Sequence, residues 1–184
     1  MSPKNNIGAD APIFLIGFMG TGKSTLGRAL AAYMPGREYV DLDDLTEATL
    51  GMTAAEAFAT LGPDAFREAE SAALRTVCGR RGLIVACGGG TPCFGDNMDV
   101  MLAGGIVVRL SADPERLLRR LVEGGDKRPL VAGLSGEALR QRVEALQAER
   151  EPYYARAHRT FDATYLENAT EIASTVRRFI AEIL

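Results

Sequence analysis

Ile13-Phe14-Leu15-Ile16-Gly17-Phe18-Met19-Gly20-Thr21-Gly22-Lys23-Ser24-Thr25-Leu26 is the stretch on which the reading of this chain turns. The first four residues form an unbroken apolar run that stops at Gly17, the pattern of a strand buried on both faces. Gly17 to Ser24 fits G-x-x-x-x-G-K-[ST], the phosphate-binding loop. Leu26, Ala29, Leu30 and Tyr33 then recur at three- and four-residue spacing and predict a helix. Backbone N–H groups can wrap a phosphate only where side chains do not obstruct them, so glycines recur in the loop. A helix opening near Gly22 turns its free N–H groups and positive dipole end toward the anion. Lys23 is placed to neutralise the outer phosphates and the Ser24 hydroxyl to ligate Mg²⁺. Gly20, Thr21, Gly22, Lys23, Ser24 and Thr25 are therefore the expected nucleotide contacts. The loop alone does not say what accepts the phosphate.

At 184 residues, 47% hydrophobic and 24% charged, the chain fits one soluble domain with room for a sizeable core. A net charge of −3 argues against bulk electrostatic binding to nucleic acid or an anionic membrane. No apolar run approaches the roughly 20 residues of a membrane span. Residues 1–11 lack the apolar core of a signal peptide and read as a flexible leader. Cys78, Cys87 and Cys93 form no C-x-x-C pair, and His158 is the one imidazole. Reduced thiols in a cytoplasmic protein are expected, and His158 reads as a surface or helix-end residue.

Further along, residues 38–43 predict a second strand running into an acidic end. Short helices are predicted over 46–50 and 53–60 with Thr53 as a cap, and a longer one from Pro63 to about Gly79. Leu83-Ile84-Val85-Ala86 reads as a buried strand closed by Cys87-Gly88-Gly89-Gly90. Helix 96–102, strand 106–110 and a helix from Asp113-Pro114 follow. The glycine-rich, charged residues 124–130 break the helical pattern and predict a mobile surface loop, at the head of a candidate lid over about 124–134. Ser135 opens a helix to about Glu149, with a new one beginning at Pro152. A strand over 161–164 precedes a C-terminal helix with Ile172, Val176, Phe179 and Ile180 on one face. Alternating strands and helices predict an α/β fold: a parallel sheet with helices on both faces. Ligands in such folds sit at the carboxyl ends of the strands. That rule brings the phosphate loop, Asp41 with Asp43, and Gly88–Gly90 to one cleft.

Asp41 and Asp43 are two apart and would point the same way along a strand. One can assist Mg²⁺ and the other deprotonate an acceptor hydroxyl; the bland alternative makes them helix-entry acids, with Asp44 as the cap. Three successive glycines cost conformational entropy and suit a ligand lying against bare backbone. Arg67 and Glu70 are one helical turn apart, which by spacing alone reads as a surface ion pair. Arg128, in the lid, could swing in to meet phosphate charge. Arg150 could equally be a solvated helix end.

Taken together and in order, these motifs make the chain resemble the shikimate kinases, within the nucleoside-monophosphate-kinase-like group of phosphate-loop proteins. The residues that carry the resemblance are Gly17 to Gly27, Asp41-Leu42-Asp43, Phe66-Arg67-Glu68-Ala69-Glu70, Gly88-Gly89-Gly90, Arg128-Pro129-Leu130 and Arg150-Glu151-Pro152-Tyr153. The resemblance implies a three-layer α/β/α fold with a five-stranded parallel sheet, a lid, and substrate-binding helices over about 43–80. It implies a monomer that uses Mg²⁺ and ATP to phosphorylate the 3-hydroxyl of shikimate. By position, Asp43, Arg67, Gly88, Gly89, Gly90 and Arg150 would bind shikimate. Lys23, Arg120 and Arg128 would serve ATP, Ser24 and Asp41 the metal, and Asp43, Lys23 and Arg128 catalysis. Two arginines suit a carboxylated acceptor. One departure is Asn97-Met98, where many of these kinases carry Asn-Arg.

Three other readings are weaker. A gluconate or nucleoside-monophosphate kinase has little reason to combine Asp43, Arg67, the glycine triplet and Arg150 in this order. A non-catalytic binding module would be marked by loss of Lys23, Asp43 or Arg128, and all three are present. A switch or motor ATPase would end a hydrophobic strand in Asp, where Leu83 to Ala86 runs into Cys87 and glycines.

Overall fold

The computed structural model describes residues 10–124 and 130–184. Five parallel strands, β1 (Ile13–Ile16), β2 (Glu38–Asp41), β3 (Leu83–Ala86), β4 (Ile106–Ser111) and β5 (Arg159–Asp162), form one sheet in the order β2-β3-β1-β4-β5. β1 and β3 are buried along their whole length, as continuous apolar runs demand when both faces are covered. Alternate residues face opposite sides. Ile13, Leu15, Ile84 and Val108 pack with α1 (Lys23–Tyr33) and α8 (Ala169–Ile183) on one face. Phe14, Ile16, Val85 and Val107 pack on the other with α4 (Pro63–Val77), α5 (Asn97–Gly104), α6 (Pro114–Glu123) and α7 (Gly136–Tyr154). The three layers are those expected. Among the described residues no helix is long and apolar enough to cross a membrane.

Register sets the level of the site. Leu15 lies beside Ala86 and Val108, and Asp41 beside Ala86, so β1, β2 and β3 end together and their following loops open at one edge. Local signals explain most boundaries. α2 (Leu42–Leu50) is capped by Asp41, and α3 (Ala54–Thr60) by a Thr53–Glu56 capping box. Pro63 occupies the first turn of α4, and Asp113 caps α6.

Several expectations need correction. β2 stops at Asp41, and Asp43 is in the first turn of α2 rather than on a strand. Asp41, not Asp44, is the cap: its carboxylate accepts from the Asp43 N–H at 3.3 Å. α7 is one helix running through Pro152 to Tyr154. The missing proline N–H is tolerated because the last turn is anchored outside the helix, by Glu151 on Arg109 and by the Tyr154 hydroxyl on Gly89 O. β5 begins two residues early, at Arg159, and ends at Asp162, whose carboxylate accepts from the Thr164 N–H at 2.9 Å and turns the chain. His158 is no free surface residue: its Nδ1 accepts from the Val107 N–H at 3.0 Å. At the leader, Asp10 O accepts from Gly82 N–H and Ala11 O from Arg37. Of the expected lid, residues 130–133 form turns with Val131 buried in the core; Arg128 lies outside the described residues.

Candidate active site

The aligned strand ends open onto a cleft of about 1090 Å³ that runs from Arg120 and Glu167, past Gly20 and Lys23, to Asp43 and Gly88. At its centre the phosphate loop joins β1 to α1. Gly22 caps α1 with φ 90°, and a Cβ there would lie 2.4 Å from Leu166 Cδ1, so both backbone and packing require glycine. Thr21 is buried, its hydroxyl donating to Phe18 O at 2.8 Å, and it holds the turn. Thr25, Ser24 and Gly20 line the cleft. Lys23 Nζ donates to Gly17 O at 2.9 Å and Phe18 O at 3.0 Å, folding the ammonium across its own loop. Desolvation lowers its pKa to about 8, against the opposing pull of Asp43, Cys87 and Asp41; an anion bound in the loop would act in the same sense as those groups.

Beside the loop, Ser24 Oγ donates to Asp41 Oδ2 at 3.0 Å, and the Tyr39 hydroxyl donates to the same oxygen at 2.6 Å. Burial and the Asp41 carboxylate raise the Tyr39 pKa, so it stays a donor. A hydroxyl and a carboxylate oxygen at the start of α1 form the hard donor set that Mg²⁺ accepts, with phosphates and waters completing its shell. Asp43 opens onto the cleft, yet the surrounding protein and then Glu70 and Asp41 push its carboxyl up to about 6, against Lys23 and Arg67.

The far wall is the glycine triplet, and each glycine is crossed by a different side chain. A Cβ on Gly88 would lie 2.8 Å from both Asp43 Oδ1 and Glu70 Oε1. On Gly89 it would lie 2.9 Å from Arg150 Nη1, and on Gly90 2.5 Å from Arg67 Nη2. None of the three has positive φ. The triplet therefore exists for close approach, to let two acids and two arginines lie against the backbone. Arg67 and Glu70 do pair, at 2.7 Å, but Glu70 is fully buried, so the expected surface ion pair is an internal strut. Arg150 is not a solvated end either. It is 8% exposed, its guanidinium lies 5.5 Å from the Phe18 ring centre, and its Nη1 is buried without a hydrogen-bond partner. A buried, unpaired guanidinium nitrogen is costly in a free protein and suits an anionic ligand.

At the other end of the cleft, Arg120 donates to Gly20 O at 3.2 Å and to Thr164 O at 2.5 Å, bridging the phosphate loop and the segment after β5. The structure thus brings together every expected site residue except Arg128, which lies outside the described residues. Sequence reasoning missed Tyr39, Thr91, Tyr154, Leu166 and Glu167. Tyr39 was within reach: it lies two residues before Asp41, on the same strand face. Tyr154 lies one turn after Arg150, a relation hidden by the expected break at Pro152. Leu166 and Glu167 follow β5 and carry no motif. Met98, where the arginine is absent, is buried in the core instead of lining the cleft.

The shikimate kinase family model matches residues 19–181. A shikimate kinase of Phocaeicola vulgatus is 42% identical over 165 residues, 89% of this chain and 93% of that protein. The crystal structure of the shikimate kinase of Bacteroides thetaiotaomicron superposes with a TM-score of 0.88 at 36% identity, over 94% of this chain and 98% of that one. That of the Acinetobacter baumannii enzyme, in complex with shikimate, gives 0.81 at 32% identity, over 95% and 93%.

Proposed function

This chain belongs to the shikimate kinase family, and from that premise we propose how its cleft performs the reaction. It is a phosphotransferase that moves the γ-phosphoryl group of ATP to the 3-hydroxyl of shikimate, giving 3-phosphoshikimate and ADP. The observation that carries the site assignment is the buried Arg150, its Nη1 without a partner, beside Arg67 on the glycine wall, next to a phosphate loop. Two guanidinium groups there offer a carboxylate charge-assisted hydrogen bonds. The bare backbone of Gly88–Gly90 lets a small ring lie close. Asp43, poised near pH 6, accepts the proton of the attacking hydroxyl.

On the donor side, backbone N–H groups from Gly20 to Thr25 hold the β- and γ-phosphates, and Lys23 leaves the loop carbonyls to meet them. Mg²⁺ would be held by Ser24 directly and by Asp41 through its water shell, where it neutralises charge on the phosphates. Arg120 faces the nucleotide from beside Gly20. Arg128, within the lid assigned to residues 124–134, meets the transferring phosphate. Transfer of this kind needs positioning and charge stabilisation more than covalent help. Residues 43–80 supply the acceptor-binding helices of a single domain. The three free thiols fit a reducing, cytoplasmic setting for a monomer.

A coupled ADP-release assay across shikimate, gluconate and AMP tests the reading. Turnover with shikimate alone is expected. Equal turnover with gluconate or AMP would overturn the assignment of Arg67 and Arg150 to a specific carboxylated ring.

A further inference from the structure

The 3-10 turn Thr91–Cys93 follows the glycine triplet, and its first residue is held from three directions. The Thr91 N–H donates to Gly88 O at 3.1 Å, Thr91 O accepts from Asn97 Nδ2 at 2.9 Å, and the hydroxyl donates to Glu70 Oε1 at 2.7 Å. Thr91, Glu70 and Asn97 are all fully buried, so water cannot replace these bonds. With both backbone groups engaged and a β-branched side chain, the hydroxyl has little freedom to point elsewhere. Glu70 Oε2 takes Arg67 Nη1 at 2.7 Å. Each oxygen of this buried carboxylate therefore has one donor, and one of the two is Thr91. Glu70 Oε1, Asp43 Oδ1 and Thr91 Oγ1 all lie within 3.0 Å of the position a Gly88 Cβ would occupy. The oxygen that Thr91 holds and the acceptor-site acid thus converge on the same point above Gly88.

We propose that Thr91 is a positioning residue for the acceptor site: its hydroxyl fixes the Glu70 carboxylate, and through it the Arg67 guanidinium and the charge facing Asp43. The proposal rests on the reading of Arg67 and Asp43 as shikimate contacts. Without the hydroxyl, Glu70 Oε1 is left beside the like charge of Asp43 with no donor, and the carboxylate turns, taking Arg67 with it. Asp43 is faced by Lys23 from α1, Asp41 from the end of β2, Arg67 and Glu70 from α4, and Cys87 from the end of β3. Glu70 is in turn neighboured by Cys87 and Cys93. Of all these groups only Glu70 and Arg67 depend on Thr91. Loss of the hydroxyl therefore disturbs the acceptor side of the cleft and leaves the phosphate loop as it is.

The test compares Thr91→Val, which keeps the shape and loses the hydroxyl, with Thr91→Ser, which keeps the hydroxyl and loses the methyl. Initial rates are taken with shikimate and ATP each varied in turn. Thr91→Val is expected to raise the KM for shikimate about tenfold and leave the KM for ATP unchanged. Thr91→Ser should keep both at wild-type values. A wild-type KM for shikimate in Thr91→Val, or equal impairment of the two variants, would overturn the proposal and reduce Thr91 to packing. Should Thr91→Val fail to fold, Thr91→Ala replaces it, since Ala and Ser differ there only by the hydroxyl. Wild-type enzyme in the same assay checks the underlying reading, because absence of shikimate turnover there would remove the acceptor assignment itself.

Discussion

Asp43, the proposed base, brings the chemistry of the acceptor side down to one carboxyl group. Enclosure within the cleft, then Glu70 and Asp41, raise it to about 6, while Lys23 and Arg67 pull the other way. A base must be ionised to accept a proton, so kcat/KM for shikimate should fall as pH drops through about 6. Asp43→Asn should lower kcat by about 10²- to 10⁴-fold with little change in the KM for ATP; near-normal turnover would remove Asp43 as the base. The same shift has a consequence for stability. The folded state holds this proton more tightly than the unfolded chain, whose carboxyl titrates near 3.8. The contribution of the group to stability is therefore full below that value and is lost as pH rises through about 6. At neutral pH the charged carboxylate is a cost accepted for function, and Asp43→Asn should melt no lower than wild type. Thermal melts at neutral pH check this, and a clear drop in Tm would mean that Asp43 holds structure instead.

At the scale of elements, the C-terminal turn of α7 matters most, and it was the least legible. Pro152 predicts a break, because sequence shows the lost N–H but not the tethers that compensate for it. In the structure Arg109 donates to both carboxylate oxygens of Glu151, each at 2.7 Å, and the Tyr154 hydroxyl donates to Gly89 O at 2.6 Å. Arg150 and Tyr154 consequently share one helix face, and both engage Gly89, one at its α-carbon and one at its carbonyl. β1, the phosphate loop and α1 were readable because strand, glycines and helix start follow one another within fourteen residues. The capping box of α3 was half readable for the same reason, from Thr53 alone. By contrast the end of β5 depends on Asp162 bending back onto Thr164, a bond that no hydrophobic pattern records. Tyr154→Phe tests the α7 clamp. It should raise the KM for shikimate several-fold, as loss of one hydrogen bond of about 1 kcal/mol predicts, and leave the KM for ATP alone. Steady-state kinetics with each substrate varied in turn decides it, and a parallel rise in both constants would count against a clamp specific to the acceptor wall.

Across the whole molecule the site divides into two halves that the fold supplies differently. The phosphate-holding part of the proposed donor half, Gly20 to Thr25, comes from one loop after β1 and the start of α1, so its residue types and spacing are complete in a single stretch. The acceptor half draws Asp43 from α2, Arg67 and Glu70 from α4, the glycine wall from the end of β3, and Arg150 from α7. Its residues were nameable through the resemblance, but their state was not: only packing makes Glu70 buried and leaves Arg150 Nη1 without a partner, and only the folded chain shows why each glycine of the triplet is needed. This division makes the two halves separable by ligand-linked stability. A ligand at a hundred times its Kd stabilises the folded state by about 2.7 kcal/mol, which for a chain of this size raises Tm by about 5–10 °C. Shikimate and ADP should each produce a shift of that order in the wild-type protein. In Arg150→Ala the shikimate shift should vanish at the same concentration while the ADP shift persists. The substitution removes a buried cation whose Nη1 has no partner, so the unliganded protein should lose little stability. Loss of both shifts, or a large fall in the unliganded Tm, would mean that Arg150 supports the fold through its contact with Phe18 and not the acceptor alone.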